Sequence, residues 1–240
     1  TIYGLNNTTY YNITSNAGFG IENYAIAAFD SCQSGVPPAP NTSALGTNHN
    51  TIFVQSSLDI CAKSVDLSWN AYINWPEGVA SYEIYAQENG GTPVFLSSVT
   101  ATQFNYTHTS LNAFSTYCYI IKAVSNTGRS SLSNKKCQFI SQPQVPAYVY
   151  TQAASVEIQE QVQLRINVDA AATVNSFEVE RAEDAAGPWD YIGSFTPIGG
   201  GSEIYNDITA ATSVQPYFYK LTAIDSCNRP ATVSQVSKTI

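Results

Sequence analysis

Three stretches decide the fold: Tyr24-Ala25-Ile26-Ala27-Ala28-Phe29-Asp30-Ser31-Cys32, Tyr119-Ile120-Ile121-Lys122-Ala123-Val124-Ser125 and Tyr219-Lys220-Leu221-Thr222-Ala223-Ile224-Asp225-Ser226-Cys227. Each opens Tyr-x-Ile/Leu-x-Ala, and an apolar residue at every second position marks a half-buried β-strand. The register returns after 95 residues (Ala28 to Ala123) and again after 100 (Ala123 to Ala223). A polar turn follows each copy, then a β-branched segment ending in Thr51-Ile52-Phe53-Val54, Cys137-Gln138-Phe139-Ile140 or Lys238-Thr239-Ile240. The chain therefore holds three copies of one unit.

Upstream of the second and third copies the alternation continues, in Val65-Asp66-Leu67-Ser68-Trp69 and Tyr82-Glu83-Ile84-Tyr85, and in Val162-Gln163-Leu164-Arg165-Ile166 and Phe177-Glu178-Val179-Glu180. For the second unit the pattern predicts strands near 56–60 and over 65–72, 80–87, 94–99, 103–109, 116–125 and 131–140. For the third it predicts 147–158, 161–169, 175–182, 188–195, 203–209, 216–225 and 231–240. Seven short strands in about 90 residues describe a β-sandwich. The expected domains are 57–142 and 143–240, preceded by residues 1–56, which carry only the last three strands of the pattern and read as the C-terminal part of a further domain. The joint Ser141-Gln142-Pro143-Gln144-Val145-Pro146 is stiffened by its two prolines. The fold class is all-β, with immunoglobulin-like sandwiches stacked end to end.

These residues resemble tandem fibronectin type III domains. The resemblance rests on Trp69 as the core tryptophan of the family's second strand, on Tyr82-x-Ile84-Tyr85, and on Leu111-Asn112-Ala113-Phe114-Ser115-Thr116-Tyr117, which is similar to the segment leading into the family's tyrosine corner. The corner hydroxyl bonds back to upstream backbone, so the resemblance assigns that role to Tyr117 and, in the third unit, Tyr217. Glu22 occupies this position in the first unit, and Arg165 stands nearest the tryptophan position of the third. Trp69, Tyr117, Tyr119, Tyr217 and Tyr219 are the expected core aromatics. The Asp-Ser-Cys triplets at 30–32 and 225–227, the run from Leu67 to Trp75, Tyr117-Cys118-Tyr119 and the Lys238-Thr239-Ile240 ending are also similar to repeats of large type IX-secreted bacterial proteins with a gliding-motility-associated C-terminal domain. That resemblance implies a secreted or cell-surface location on the outer-membrane exterior, with roles from adhesin to enzyme appendage.

Composition narrows the partners. With 10 Lys and Arg against 18 Asp and Glu, net charge −8 and pI near 4.6, the chain gains nothing from phosphate backbones, so nucleic acid is not an expected partner. No apolar run is long enough to span a bilayer, so membrane insertion is not expected. Charged residues make up only 12%, while Ser 26, Thr 22 and Asn 19 supply the polarity, as on exported β-proteins. Asn6, Asn7, Asn12, Asn41 and Asn105 open Asn-x-Ser/Thr triplets, which a chain of this composition produces by chance. Thr1 is not followed by a charged and then apolar leader. Expected partners are neighbouring domains of the same long chain, with surface polysaccharide or another surface protein as further candidates.

Cys32, Cys61, Cys118, Cys137 and Cys227 lack the spacings of zinc or thioredoxin-like sites and read as disulfide cysteines of an oxidising compartment. Strand direction brings Cys61, Cys118, Cys137 and Cys227 towards one junction. The preferred pairing is Cys61–Cys137 with Cys118–Cys227, its main rival a direct Cys118–Cys137 bridge across the hairpin, and the partner of Cys32 is expected in a preceding domain. Catalysis finds no footing. His49 and His108 read as exposed polar residues, and no nucleophile elbow, phosphate loop or zincin motif occurs. Gly199-Gly200-Gly201 precedes a strand and lacks a lysine, so it reads as a turn. Asp184, Asp190 and Asp207 lack the alternating ligands of a calcium loop. No cofactor, metal or catalytic residue is expected. Trp75, in the loop before Pro76-Glu77-Gly78, is the candidate ligand contact, against the competing reading of a hydrophobic lid on the sandwich pole. Trp189 reads as cover for a strand. The expected function is non-catalytic, structural or adhesive; the alternative is an accessory or carbohydrate-binding module of a secreted polysaccharide-degrading enzyme.

Overall fold

A computed structural model describes residues 7–34, 39–157 and 161–239, the side chains of 30–34, 39 and 40 excepted. The described residues contain strands and no helix, and the chain divides into two compact units, Thr1–Ser141 and Gln142–Ile240. The first begins with a hairpin of short strands, β1 (Asn23–Tyr24), β2 (Phe29–Ser34), β3 (Ala39–Thr42) and β4 (His49–Asn50), in which β1 pairs with β4 and β2 with β3.

The middle sandwich follows, with β5 (Val54–Asp59), β6 (Ser64–Trp69), β7 (Val79–Glu88), β8 (Val94–Thr100), β9 (Asn105–His108), β10 (Thr116–Ser125), β11 (Ser130–Leu132) and β12 (Lys136–Phe139). One sheet runs β5-β6-β9. The other runs β11-β10-β7-β8, with β12 continuing on the same side of β10 as β11. Inward residues alternate along each strand: Val65, Leu67 and Trp69 of β6 face Tyr82, Ile84 and Ala86 of β7 and Tyr117, Tyr119, Ile121 and Ala123 of β10, all in one buried cluster. The first strand, expected near 56–60, starts earlier, at Val54. Ile52 and Val54 are fully buried, so the chain is already in this core before Ser56.

The second unit repeats the plan with β13 (Val149–Val156), β14 (Val162–Val168), β15 (Val174–Ala182), β16 (Asp190–Phe195), β17 (Ser202–Asp207), β18 (Phe218–Asp225), β19 (Pro230–Val233) and β20 (Ser237–Lys238). Its sheets run β13-β14-β17 and β16-β15-β18-β19, with β20 also on β18. Two antiparallel sheets in this order are a fibronectin type III-like sandwich. Leu164 and Ile166 face its core and Arg165 points out, so no tryptophan is required there. The expected ends at 158 and 240 lie outside the described residues. In the Gly199–Gly201 turn all three residues have positive φ, a region open to glycine at no steric cost, and the buried Glu203 carboxylate accepts the N–H groups of Ile198 and Gly199 at 2.9 and 2.8 Å.

The last strand of each sandwich, expected as one run, is broken in two: β11 and β12 flank Ser133-Asn134-Lys135, and β19 and β20 flank Ser234-Gln235-Val236. At each break a serine hydroxyl takes the place of a backbone acceptor.

The preferred disulfide pairing is overturned. β10 and β12 set Cys118 directly opposite Cys137, with Cα atoms 3.9 Å apart, and these two are bonded to each other. Nearest neighbours on paired strands meet before side chains gathered loosely at a pole, which is why the cross-strand rival forms. Cys61 and Cys227 are also disulfide-bonded. The expectation for Cys32 concerns a side chain outside those described. Replacing Cys118 and Cys137 together by serine should lower the unfolding free energy of the middle sandwich by about 3 kcal/mol, the loop-closure value for a separation of 19 residues. Equal denaturant midpoints for the two proteins would contradict this.

Candidate functional site

The residues between the hairpin and β5 are held by an arrangement of asparagines. A carboxamide carries an acceptor and two donors, so it can stand in for a peptide unit where no strand partner is available. Asn50 is buried; its Nδ2 donates to the Ala71 carbonyl at 2.7 Å and its Oδ1 accepts the Ile73 N–H at 2.9 Å. From the opposite side Asn70 Oδ1 accepts the Phe53 N–H at 2.7 Å and its Nδ2 donates to Thr51 O at 3.1 Å. Asn74 Nδ2 reaches Asn48 O at 2.6 Å. Asn134 completes the set, accepting the Val54 N–H at 2.7 Å and donating to Val54 O at 3.2 Å. Upstream, Glu22 and Thr51 exchange two bonds, Glu22 N–H to the Thr51 hydroxyl at 2.9 Å and Thr51 N–H to Glu22 O at 2.8 Å. The loop over residues 70–78 thus clamps residues 48–53.

Aromatic rings cover the same clamp. Tyr72 donates its backbone N–H to the Tyr82 hydroxyl at 2.8 Å, and its own hydroxyl meets His49 Nδ1 at 3.1 Å. Burial pushes the Tyr72 hydroxyl up from its ordinary pKa. Trp75 is half-buried, lies 4.3 Å from the Tyr72 ring between centroids, and packs on the middle core. It is therefore packed as a lid on the sandwich and part of the clamp. Glu77 fixes the far end of the loop, accepting from the Thr127 hydroxyl at 2.8 Å and lying 3.5 Å from the Arg129 guanidinium.

The histidines are not the exposed groups expected from sequence. His108 is half-buried, its Nδ1 3.2 Å from the Tyr119 hydroxyl and its ring edge-on to Tyr117 and Tyr119. Burial lowers its pKa, and the nearby Glu88 carboxylate opposes that only in part. A histidine whose folded pKa is depressed supports the fold fully above its unfolded value, about 6.5, and loses that support as pH falls below it. The denaturant midpoint of the middle sandwich should therefore drop between pH 7.5 and 5.5, above the range where carboxylates such as Glu88 protonate. A His108→Gln variant should show a flatter dependence; an unchanged slope would refute the assignment.

In the second unit Asp207, only 2% exposed, is the centre of a buried network. Arg181 Nη1 donates to it at 2.8 Å, the Tyr219 hydroxyl at 2.9 Å, and the Thr209 N–H and hydroxyl at 2.9 and 2.7 Å. Burial pushes the Asp207 carboxyl up, but the bonds from Thr209, Arg181 and Tyr219 outweigh it and hold the pKa below the usual value. The guanidinium of Arg181 also lies 4.7 Å over the Tyr217 ring. Among the described residues no group of three or more His, Cys, Asp or Glu side chains could hold a metal ion. Tyr117 makes the corner bond expected of it, accepting the Asn112 N–H at 3.3 Å. The Tyr217 hydroxyl instead meets the Gln215 side chain at 3.4 Å. Trp189 lies under Lys220 Nζ at 4.7 Å.

No family model matches the chain, and no curated protein does. Solved structures similar to parts of it include pectate lyase Pel3 from Pectobacterium carotovorum, at 16% identity over 39% of this chain and 28% of that one, TM-score 0.32. Pectate lyase PelI from Erwinia chrysanthemi, in complex with tetragalacturonic acid, matches at 16% identity over 44% and 34%, TM-score 0.33. The FN1–FN3 domains of chicken CNTN1 match at 14% identity over 78% and 64%, TM-score 0.31. The chain spans less than two thirds of the length of each. Strand order, not these likenesses, defines the fold: tandem fibronectin type III-like β-sandwiches. Its disulfides belong to an oxidising, extracellular environment.

Proposed function

We propose that the chain is a non-catalytic structural or adhesive segment of a long secreted or cell-surface protein, in which sandwiches are joined by clamped linkers. The asparagine clamp on residues 48–53 carries this reading: a linker whose backbone is bonded on both sides transmits orientation from one module to the next. Similarity of the Asp-Ser-Cys triplets and the Leu67–Trp75 run to repeats of type IX-secreted, gliding-motility-associated proteins supports export to a bacterial surface. The ring pairs at the surface give the carbohydrate-module alternative less support, since half-buried Tyr85 and exposed Phe95 meet at 69° and the exposed Tyr148 and Tyr150 at 39°, neither a flat platform for a sugar chain.

Asn50→Ala combined with Asn70→Ala tests the clamp. In NMR relaxation on the whole chain, amides of residues 48–53 should tumble with those of 54–140 in the natural protein and faster than them in the variant. Identical relaxation in both would remove the basis for a stiff joint.

A further inference from the structure

The pattern that forms the core of two sandwiches lies open in the first copy. Tyr119, Ile121 and Ala123 are fully buried, and so are Tyr219, Leu221 and Ala223. At the matching positions of the hairpin Tyr24 is 37% exposed, Ile26 81% exposed, and Ala28 is exposed. Phe29 and Leu45 are exposed beside them.

Two bonding patterns identify this hairpin with the last two strands of the complete sandwiches. In the middle sandwich the Ser133 N–H donates to Ile121 O at 2.8 Å, its hydroxyl accepts the Ile121 N–H at 2.9 Å, and the hydroxyl donates to Asn134 O at 2.6 Å. Ser234 makes the same three bonds in the last sandwich, to Leu221 at 2.8 and 2.9 Å and to Gln235 O at 3.0 Å. Ser43 makes three bonds of the same kind in the hairpin, to Ala28 at 2.8 and 2.9 Å and to Ala44 O at 3.0 Å, with its partner two residues further along the strand than Ile26, the match to Ile121 and Leu221. The corner bond recurs as well. Glu22 precedes Tyr24 as Tyr117 precedes Tyr119, and its carboxylate accepts the Asn16 N–H and the Ser15 hydroxyl, each at 2.6 Å, as Tyr117 accepts from Asn112. A carboxylate here performs the tie that a phenol performs in the middle sandwich.

We propose that residues 23–34 and 39–50 belong to the final hairpin of a third sandwich, and that their open apolar face binds the strands that precede this hairpin in each complete copy, supplied by the same polypeptide upstream. In both complete sandwiches those strands come directly before it, β5–β9 ahead of β10 and β13–β17 ahead of β18. The occupant is thus a set of alternating strands: one pairs with the edge beside Tyr24, as β7 pairs with β10, and an apolar sheet covers Tyr24 and Ile26. Burial of such a face is the main stabilising term for a sheet of this size, and a two-stranded hairpin alone is marginal.

Hydrogen exchange tests this on the 240-residue chain at two protein concentrations and on the natural protein extended by its upstream sequence. Residues 23–34 and 39–46 should exchange rapidly in the 240-residue chain at both concentrations, and as slowly as residues 116–140 in the longer protein. Slow exchange in the 240-residue chain alone would mean that no occupant is needed. Protection that appears only on raising the concentration would mean that a second copy covers the face. Fast exchange in the longer protein would also overturn the proposal. In that longer protein Ile26→Asp should abolish the protection of 23–34 and 39–46 while leaving that of 116–140 unchanged.

Discussion

Replacing Trp69 by alanine should lower the unfolding free energy of the middle sandwich by about 3–5 kcal/mol, the range for deleting a buried large aromatic. Trp69 is 6% exposed at the end of β6, with its ring 5.8 Å from that of Tyr82, and Tyr82 in turn lies 5.7 Å from Phe104. Alanine would leave a cavity where the two sheets meet, and close-packed neighbours refill such a space only in part. Trp69→Phe keeps a ring against Tyr82 and should cost much less. Urea titration followed by circular dichroism reads the difference, and a midpoint unmoved by the alanine substitution would show that Trp69 is not a core residue.

Arg181→Met in the second unit is expected to cost a similar amount, about 3–5 kcal/mol, because it leaves Asp207 buried without its counter-charge. The sign of the pH dependence separates this from lost packing. Asp207 has a depressed folded pKa, so its ionised form supports the fold above the ordinary aspartate range and the support fades as pH falls through and below it. The gap between natural and variant proteins should thus be wide at pH 7 and narrow near pH 3. A variant with both Arg181→Met and Asp207→Asn should recover part of the loss at pH 7. A deficit that stays constant with pH would mean that the aliphatic stem of Arg181, not its charge, matters.

The sandwich architecture was legible in the sequence because its inward positions repeat at fixed spacing, and Tyr119 and Tyr219 occupy equivalent buried sites on β10 and β18. Strand positions followed from alternation, except where a polar side chain replaces a backbone partner. Ser133 and Ser234 break the last strands, but serine is too common in this chain for two of its residues to stand out. The clamp was hidden for the same reason: Asn50, Asn70 and Asn74 are three of 19 asparagines, and only the fold shows them facing one linker. Trp75 attracted notice as a loop aromatic, but its packing on Tyr72 depends on residues 48–50 lying beneath the loop. Position at a sandwich pole does not set the cysteine pairing; strand register does, and it places Cys118 opposite Cys137. Asp207 gave no sign that it would meet Arg181, 26 residues away.

The clamp's neutral chemistry has a consequence for the surroundings such a chain can tolerate. Ion pairs on a surface weaken as dissolved salt screens them, and carboxylates lose their charge in acid. The carboxamides of Asn50, Asn70, Asn74 and Asn134 neither gain nor lose a proton across those changes, and they attract no counterions. The carboxamide bonds of the joint should therefore persist in brackish or concentrated media, where the Glu77–Arg129 pair at the far end of the loop is the part that salt weakens.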